Sequence, residues 1–147
     1  MSPDLNQQTE AQRHLDRALA ALAADLPEQA LTRVEKCLRI DPGNLSARLV
    51  EARAALASNR PRQALAALDC ADLYHPDRRD TPELAMLRAQ TLIRCQLDDM
   101  AGRQLEHLVE QFPDDVRPRR MLAELHQRRG LTDAAIESVA QIQSLQK

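Results

Sequence analysis

The sequence is poor in aromatic residues and in glycine, and this scarcity limits the folds that it can form. Tyr74 and Phe112 are its two aromatic residues, and it has three glycines and no tryptophan. Leucine and alanine, at 23 copies each, supply most of the apolar side chains. Both residues favour helices, whereas the β-branched and aromatic residues that favour strands are few. We therefore predict an all-α protein.

Further absences restrict where the protein works. No apolar run approaches the roughly 20 residues that a membrane-spanning helix needs, and the N-terminal residues do not have the pattern of a secretory signal. Cys37, Cys70 and Cys95 form no CxxC pair and match no zinc-site or disulfide spacing. Free thiols are usual in a reducing compartment, so we predict a cytoplasmic protein. Arginine outnumbers lysine 18 to 2, which suggests a GC-rich bacterial genome.

Signatures of catalysis are also missing. The sequence has no glycine-rich phosphate loop, no HExxH motif and no GxSxG motif, and its four histidines are dispersed. The net charge of -2 and the lack of stacking aromatics disfavour nucleic-acid binding. We predict that the protein is not an enzyme, that it has no catalytic residues, cofactor or metal, and that it neither binds nucleic acid nor inserts into membranes.

What the sequence does contain is an internal repeat. One alanine column has spacings of 34, 37 and 34 residues: Ala30, Ala64, Ala101 and Ala135. Twelve residues before it lies a second column, Ala18, Ala52, Ala89 and Ala123, and four residues after it lies an apolar column, Val34, Leu68, Leu105 and Val139. Small residues at matching places let two helices approach closely. The repeat therefore predicts four antiparallel helix pairs, with three extra residues near 77–80.

Local signals place the ends of these helices. Pro27, Pro61 and Asp98 suit the first turns of second helices, and Thr132 suits an N-cap. Asn44, Thr81 and Asp115 suit the starts of first helices, and Gly130 suits a tight turn within the last pair.

The period, the paired small residues and the turn at 41–44 resemble the tetratricopeptide repeat (TPR) family over residues 11–147. The resemblance implies an all-α solenoid of four antiparallel helix pairs, coiled as a right-handed superhelix. It places repeats at about 11–44, 45–78, 82–115 and 116–147, in a single domain after a flexible extension at 1–10. It also implies a concave groove lined by the first helix of each pair.

From this resemblance we predict a protein-interaction adaptor, a small bacterial chaperone or assembly scaffold that binds an apolar peptide or helix in the groove. The predicted groove residues are Leu19, Val50, Arg53, Leu87, Gln90, Arg94, Arg120 and Glu124. The arginines of the fourth pair leave two interpretations open, an acidic partner or a solvated surface. The alternative function is a self-associating scaffold, because the last helix carries more apolar residues than its own pair requires. Its predicted contact residues are Ile136, Val139, Ala140 and Leu145.

Overall fold

In the computed structural model, residues 2–130 and 132–146 are described, with the side chains of 132–135 left aside. These residues form eight α-helices and one short 3-10 helix, and no strand occurs among them. The helices are α1 (Leu5–Ala23), α2 (Pro27–Ile40), α3 (Leu45–Ala57), α4 (Pro61–Tyr74), α5 (Pro82–Arg94), α6 (Asp98–Gln111), α7 (Val116–Arg128) and α8 (Thr132–Leu145). Each odd-numbered helix packs against the helix that follows it.

The helix starts follow the predicted caps. The Asn44 side chain accepts a hydrogen bond from the backbone N–H of Ala47, and Asp115 accepts one from that of Arg117. Pro27 and Pro61 begin α2 and α4, where a missing N–H costs nothing. Thr81 precedes α5 without a side-chain cap bond. The predicted cap at Thr132 concerns a side chain outside the described residues.

The N-terminal segment differs from its predicted form. Residues 5–10, predicted to be a flexible extension, form the beginning of α1. The reason is a capping box, in which Asp4 and Gln7 each accept a hydrogen bond from the other's backbone N–H.

Each turn inside a pair places one residue in the left-handed region. These residues are Asp25, Asn59, Gln96 and Gly130, with φ of 59°, 61°, 61° and 75°. In the first pair, the N–H of Leu26 donates to the Ala21 carbonyl and that of Asp25 donates to the Leu22 carbonyl. This is the Schellman arrangement that ends many helices, and it recurs after α3 and α5.

The chain divides into two compact units, Met1–Asp80 and Thr81–Lys147, where the sequence predicted one domain. Their boundary lies at the end of the loop 75–81, which is longer than the loops 41–44 and 112–115. The extra residues lie where the repeat spacing predicts them, and the 3-10 helix Pro76–Arg78 occupies part of this loop.

The described residues of the two alanine columns lie in the core. The described alanines of both columns are buried, at 0% exposure except for Ala123 at 6%; Ala135 lies outside the described side chains. In the first unit, Ala18, Val34, Cys37 and Val50 belong to one cluster that joins α1, α2 and α3. Burial, followed by the nearby Asp41 carboxylate, raises the pKa of the Cys37 thiol.

Candidate protein-interaction site

The residues predicted to line a groove have two different environments. Val50 and Leu87 are core residues, exposed by only 2% and 8%. The other six are exposed to solvent: Leu19, Arg53, Gln90, Arg94, Arg120 and Glu124. Except for Leu19, this exposed set is polar, so the first helices present less apolar surface than the sequence suggested.

An apolar opening lies instead on the last helix pair. A groove of about 670 Å³ runs between α7 and α8. From α8 it is lined by Ile136, Val139, Ala140, Ile142 and Gln143, and from α7 by Arg120, Ala123, Glu124 and Gln127. The polar side chains are those able to fix the orientation of a ligand, whereas the α8 side chains supply apolar contact. The volume and composition suit a helix or a short peptide segment.

The exposure of α8 is unusual among the second helices. Val34, Leu68 and Leu105 are exposed by 1% or less, whereas Val139 in the same repeat column is 45% exposed. In the first unit, α2 packs against the next helix, α3, and in the second unit α6 packs likewise against α7. No described residue covers Val139 in this way. The groove is therefore the surface against which a further helix would pack if the repeat continued.

The residue that follows Val139 in α8 also differs in charge from its equivalents in the other second helices. The residues one place after Val34, Leu68 and Leu105 are acidic and exposed, namely Glu35, Asp69 and Glu106. The equivalent residue in α8 is Ala140, which is also exposed. Together with Ile136, which is 62% exposed, Ala140 widens the apolar stripe of α8. Scattered exposed apolar residues are ordinary, but a contiguous apolar patch marks an interaction surface.

Most arginines of the fourth pair are engaged within their own unit. Arg128 pairs with Asp98 at 3.5 Å, and Arg129 pairs with Asp99 at 2.7 Å. Arg117 binds Asp115 at 2.7 Å, and this side-chain hydrogen bond holds the pKa of Asp115 below its usual value. Of the two interpretations of this basic segment, the ion pairs favour the structural one.

Arg120 and Glu124 differ from those arginines. They lie one turn apart on α7 at the rim of the groove. Among the described residues, neither makes an ion pair within 4 Å. The structure thus joins two predictions that the sequence kept apart, because two predicted groove residues and three predicted self-association residues line the same cavity. Leu145, the fourth predicted self-association residue, is 38% exposed and lies outside the lining.

Other kinds of site have little support in the described part of the chain. It contains no group of three or more side chains that could hold a metal ion. None of its helices combines the length and apolarity needed to cross a membrane. A polar groove of about 530 Å³ between α2, α3 and α4 contains the paired charges Arg48–Glu51 and Arg60–Glu28. The charged side chains in this groove are therefore paired with one another.

Comparison with known proteins identifies the repeat. The tetratricopeptide repeat family model matches residues 21–91. Residues 21–91 carry tetratricopeptide repeats. This confirms the resemblance seen in the sequence, and the all-α class of antiparallel helix pairs is confirmed with it. Tetratricopeptide proteins are generally interaction scaffolds, so a role in protein–protein interaction follows from the fold.

Solved tetratricopeptide structures resemble this chain in fold while differing in sequence. A double mutant of MamA, "MamA RS-1 ArsTM", superposes with a TM-score of 0.80 at 14% identity, covering 93% of this chain and 75% of that one. Another MamA crystal structure gives 0.79 at 16% identity, with coverages of 92% and 78%. YrrB, a TPR protein with an unusual peptide-binding site, gives 0.72 at 17% identity, with coverages of 90% and 66%. No curated protein sequence matches the chain.

Proposed function

We propose that this tetratricopeptide protein is an assembly scaffold or small chaperone that binds an amphipathic helix of a client protein between α7 and α8. The observation that carries the proposal is the 45% exposure of Val139, whose repeat equivalents are all buried. A client helix placed in this groove would occupy the position that a following first helix takes on α2 and on α6. Recognition of a helix in an apolar groove is a common mode of peptide binding.

The chemistry of the groove specifies the kind of helix. Ile136, Val139 and Ala140 would bury the apolar face of the client, and this burial would supply most of the affinity. Arg120 and Glu124 would contact charged residues at its edge and so set its register. Leu19 and Arg53 in the first unit, and Gln90 and Arg94 in the second, stay predicted contact residues outside this groove. YrrB, similar in fold, is itself a peptide-binding TPR protein. A cytoplasmic setting, supported by the three free thiols, and a bacterial source, supported by the excess of arginine over lysine, also remain our proposals.

The experiment begins with identification of the client segment. A photo-crosslinking residue at position 136 is expected to capture one protein from source-cell extract, and mass spectrometry then locates the linked segment. The same probe at position 73 is the control, because Leu73 is a highly exposed leucine on α4 that does not line the groove.

A synthetic peptide of the linked segment then tests binding directly. We expect Ile136→Glu to raise its dissociation constant at least about tenfold, since a carboxylate would be forced against the client's apolar face. Leu73→Glu should bind as the native chain does. Equal binding by the native chain and Ile136→Glu would contradict the proposal.

A further inference from the structure

We infer that, before a client arrives, the groove between α7 and α8 is filled by the same helix pair of a second copy of this chain. The inference rests on the proposed function, which makes the groove a helix-binding surface. It adds how access to that surface is regulated. In this arrangement the two copies form a two-fold symmetric dimer, and a client helix must displace one copy to bind.

The first argument is that α8 has the chemistry that its own groove accepts. Ile136, Val139 and Ala140 form an exposed apolar stripe on one face of α8. A second α8 laid across the groove would therefore bury the stripes of both copies at once. In a two-fold interface the same patch serves both subunits, so it must be complementary to itself.

The second argument is the charge pattern on the rim. Arg120 and Glu124 are opposite charges one turn apart on α7, and neither has an ion-pair partner within 4 Å among the described residues. A two-fold axis between them brings Arg120 of each copy to Glu124 of the other. The two copies thus form two equivalent ion pairs across the axis, and these pairs fix the orientation of the dimer.

The third argument is the acid-to-alanine change in α8. Residues near a two-fold axis meet their own equivalents, so a carboxylate there would face another carboxylate. Glu35, Asp69 and Glu106 occupy this repeat column in the other second helices, and Ala140 replaces them in α8. The replacement removes a like-charge repulsion from the proposed interface.

The opposite end of the chain does not offer a better partner for the groove. The depression of about 380 Å³ on α1 is lined by Gln8, Thr9, Gln12, Arg13 and Asp16, with Leu5 as its one large apolar residue. A head-to-tail contact between this polar surface and α8 would leave the apolar stripe poorly covered. The groove therefore favours closed two-fold pairing over an open chain of copies.

Sedimentation velocity of the full chain from about 1 μM to about 500 μM, a range that brackets moderate and weak affinities, tests the inference. We expect the native chain to pass from monomer to dimer across this range. Arg120→Glu and Glu124→Arg alone should each raise the dimer dissociation constant at least about tenfold, since each places like charges together. Both side chains are exposed, and circular dichroism verifies that the variants fold.

The decisive measurement is charge-swap rescue. The double variant Arg120→Glu/Glu124→Arg restores opposite charges across the two-fold axis and should dimerise as the native chain does. An equimolar mixture of the two single variants should form a heterodimer for the same reason. A native chain that stays monomeric at the highest concentration, or rescue that fails while the native chain dimerises, would overturn the inference.

The inference and the proposed function can fail separately. Client-peptide binding is measured at a protein concentration where the chain is monomeric, so its dependence on Ile136 does not require a dimer. Peptide binding by a strictly monomeric protein would overturn the dimer and support the proposed function. Dimerisation with rescue but no client would support the paired groove and contradict the client-binding function.

Discussion

At the residue scale, the turn inside each helix pair needs one left-handed residue, and four different side chains meet this need. Only the last of them, Gly130, adopts this backbone without steric cost. Asp25 and Asn59 tolerate it better than most residues because their short polar side chains suit local hydrogen bonding. Gln96, with φ of 61°, has no such advantage. The third turn therefore stores the most backbone strain.

We predict that Gln96→Gly increases the free energy of unfolding by up to about 1 kcal/mol, because glycine removes the left-handed penalty while losing some entropy on folding. Asn59→Gly is the matched control at the same repeat position and should give a smaller gain. Urea unfolding of the three proteins measures both effects. A lower urea midpoint for Gln96→Gly than for the native chain would show that the strain is absent.

At the element scale, α3 depends on a single side-chain cap. Asn44 Oδ1 accepts the Ala47 N–H at 3.0 Å, which satisfies one of the free donors at the start of the helix. We predict that Asn44→Ala lowers the free energy of unfolding by about 1 kcal/mol. Asn44→Asp keeps an acceptor oxygen and should retain most of the stability. Thermal unfolding compares the three, and equal midpoints for Asn44→Ala and the native chain would show that the cap contributes nothing.

At the same scale, α8 could be distinguished from the other second helices by comparing repeat columns. Val139 matches the apolar residues at this position in α2, α4 and α6, but Ala140 departs from the acidic residue that follows them in the other three. The predicted self-association surface rested on the number of apolar residues in α8 and made no use of this departure. The partnership of α8 with Arg120 and Glu124 carried no such signal, because those residues belong to the groove only through the packing of α7 on α8.

At the scale of the whole molecule, the alanine columns allow the close approach of helices in every pair. Ala64 and Ala101 have no exposed surface, so added methylene groups would have no space. We predict that Ala64→Leu and Ala101→Leu each lower the free energy of unfolding by about 1–3 kcal/mol. Ala66→Leu makes the same change on the exposed face of α4 and should have little effect. Unchanged stability in both column variants would contradict tight packing.

The sequence predicted the first helices themselves but not which of their faces is exposed. The sequence identified these helices, but it placed Val50 and Leu87 on an open groove, and the structure buries both. The helical period alone could not fix the rotation, since His14, Arg48 and Arg119 occupy places where proteins of the family it resembles usually have a bulky apolar residue. Arg48 is accommodated by an ion pair with Glu51 at 3.1 Å, with both side chains 17% exposed. A charge can therefore lie near the core when its partner is within reach.

The sequence by itself determined the helices, their pairing and their repeat, because alanine spacing, proline positions and capping residues act over one or two helical turns. It also named five of the nine residues that line the candidate site, in two separate predicted sets, and missed Ala123, Gln127, Ile142 and Gln143. Only the tertiary structure decided which apolar side chains are covered and which are exposed, since coverage depends on neighbouring helices far along the chain. Val34 and Val139 occupy the same repeat position, yet one is buried and the other 45% exposed. The difference lies in the helix that packs on α2, for which the described residues supply no counterpart on α8.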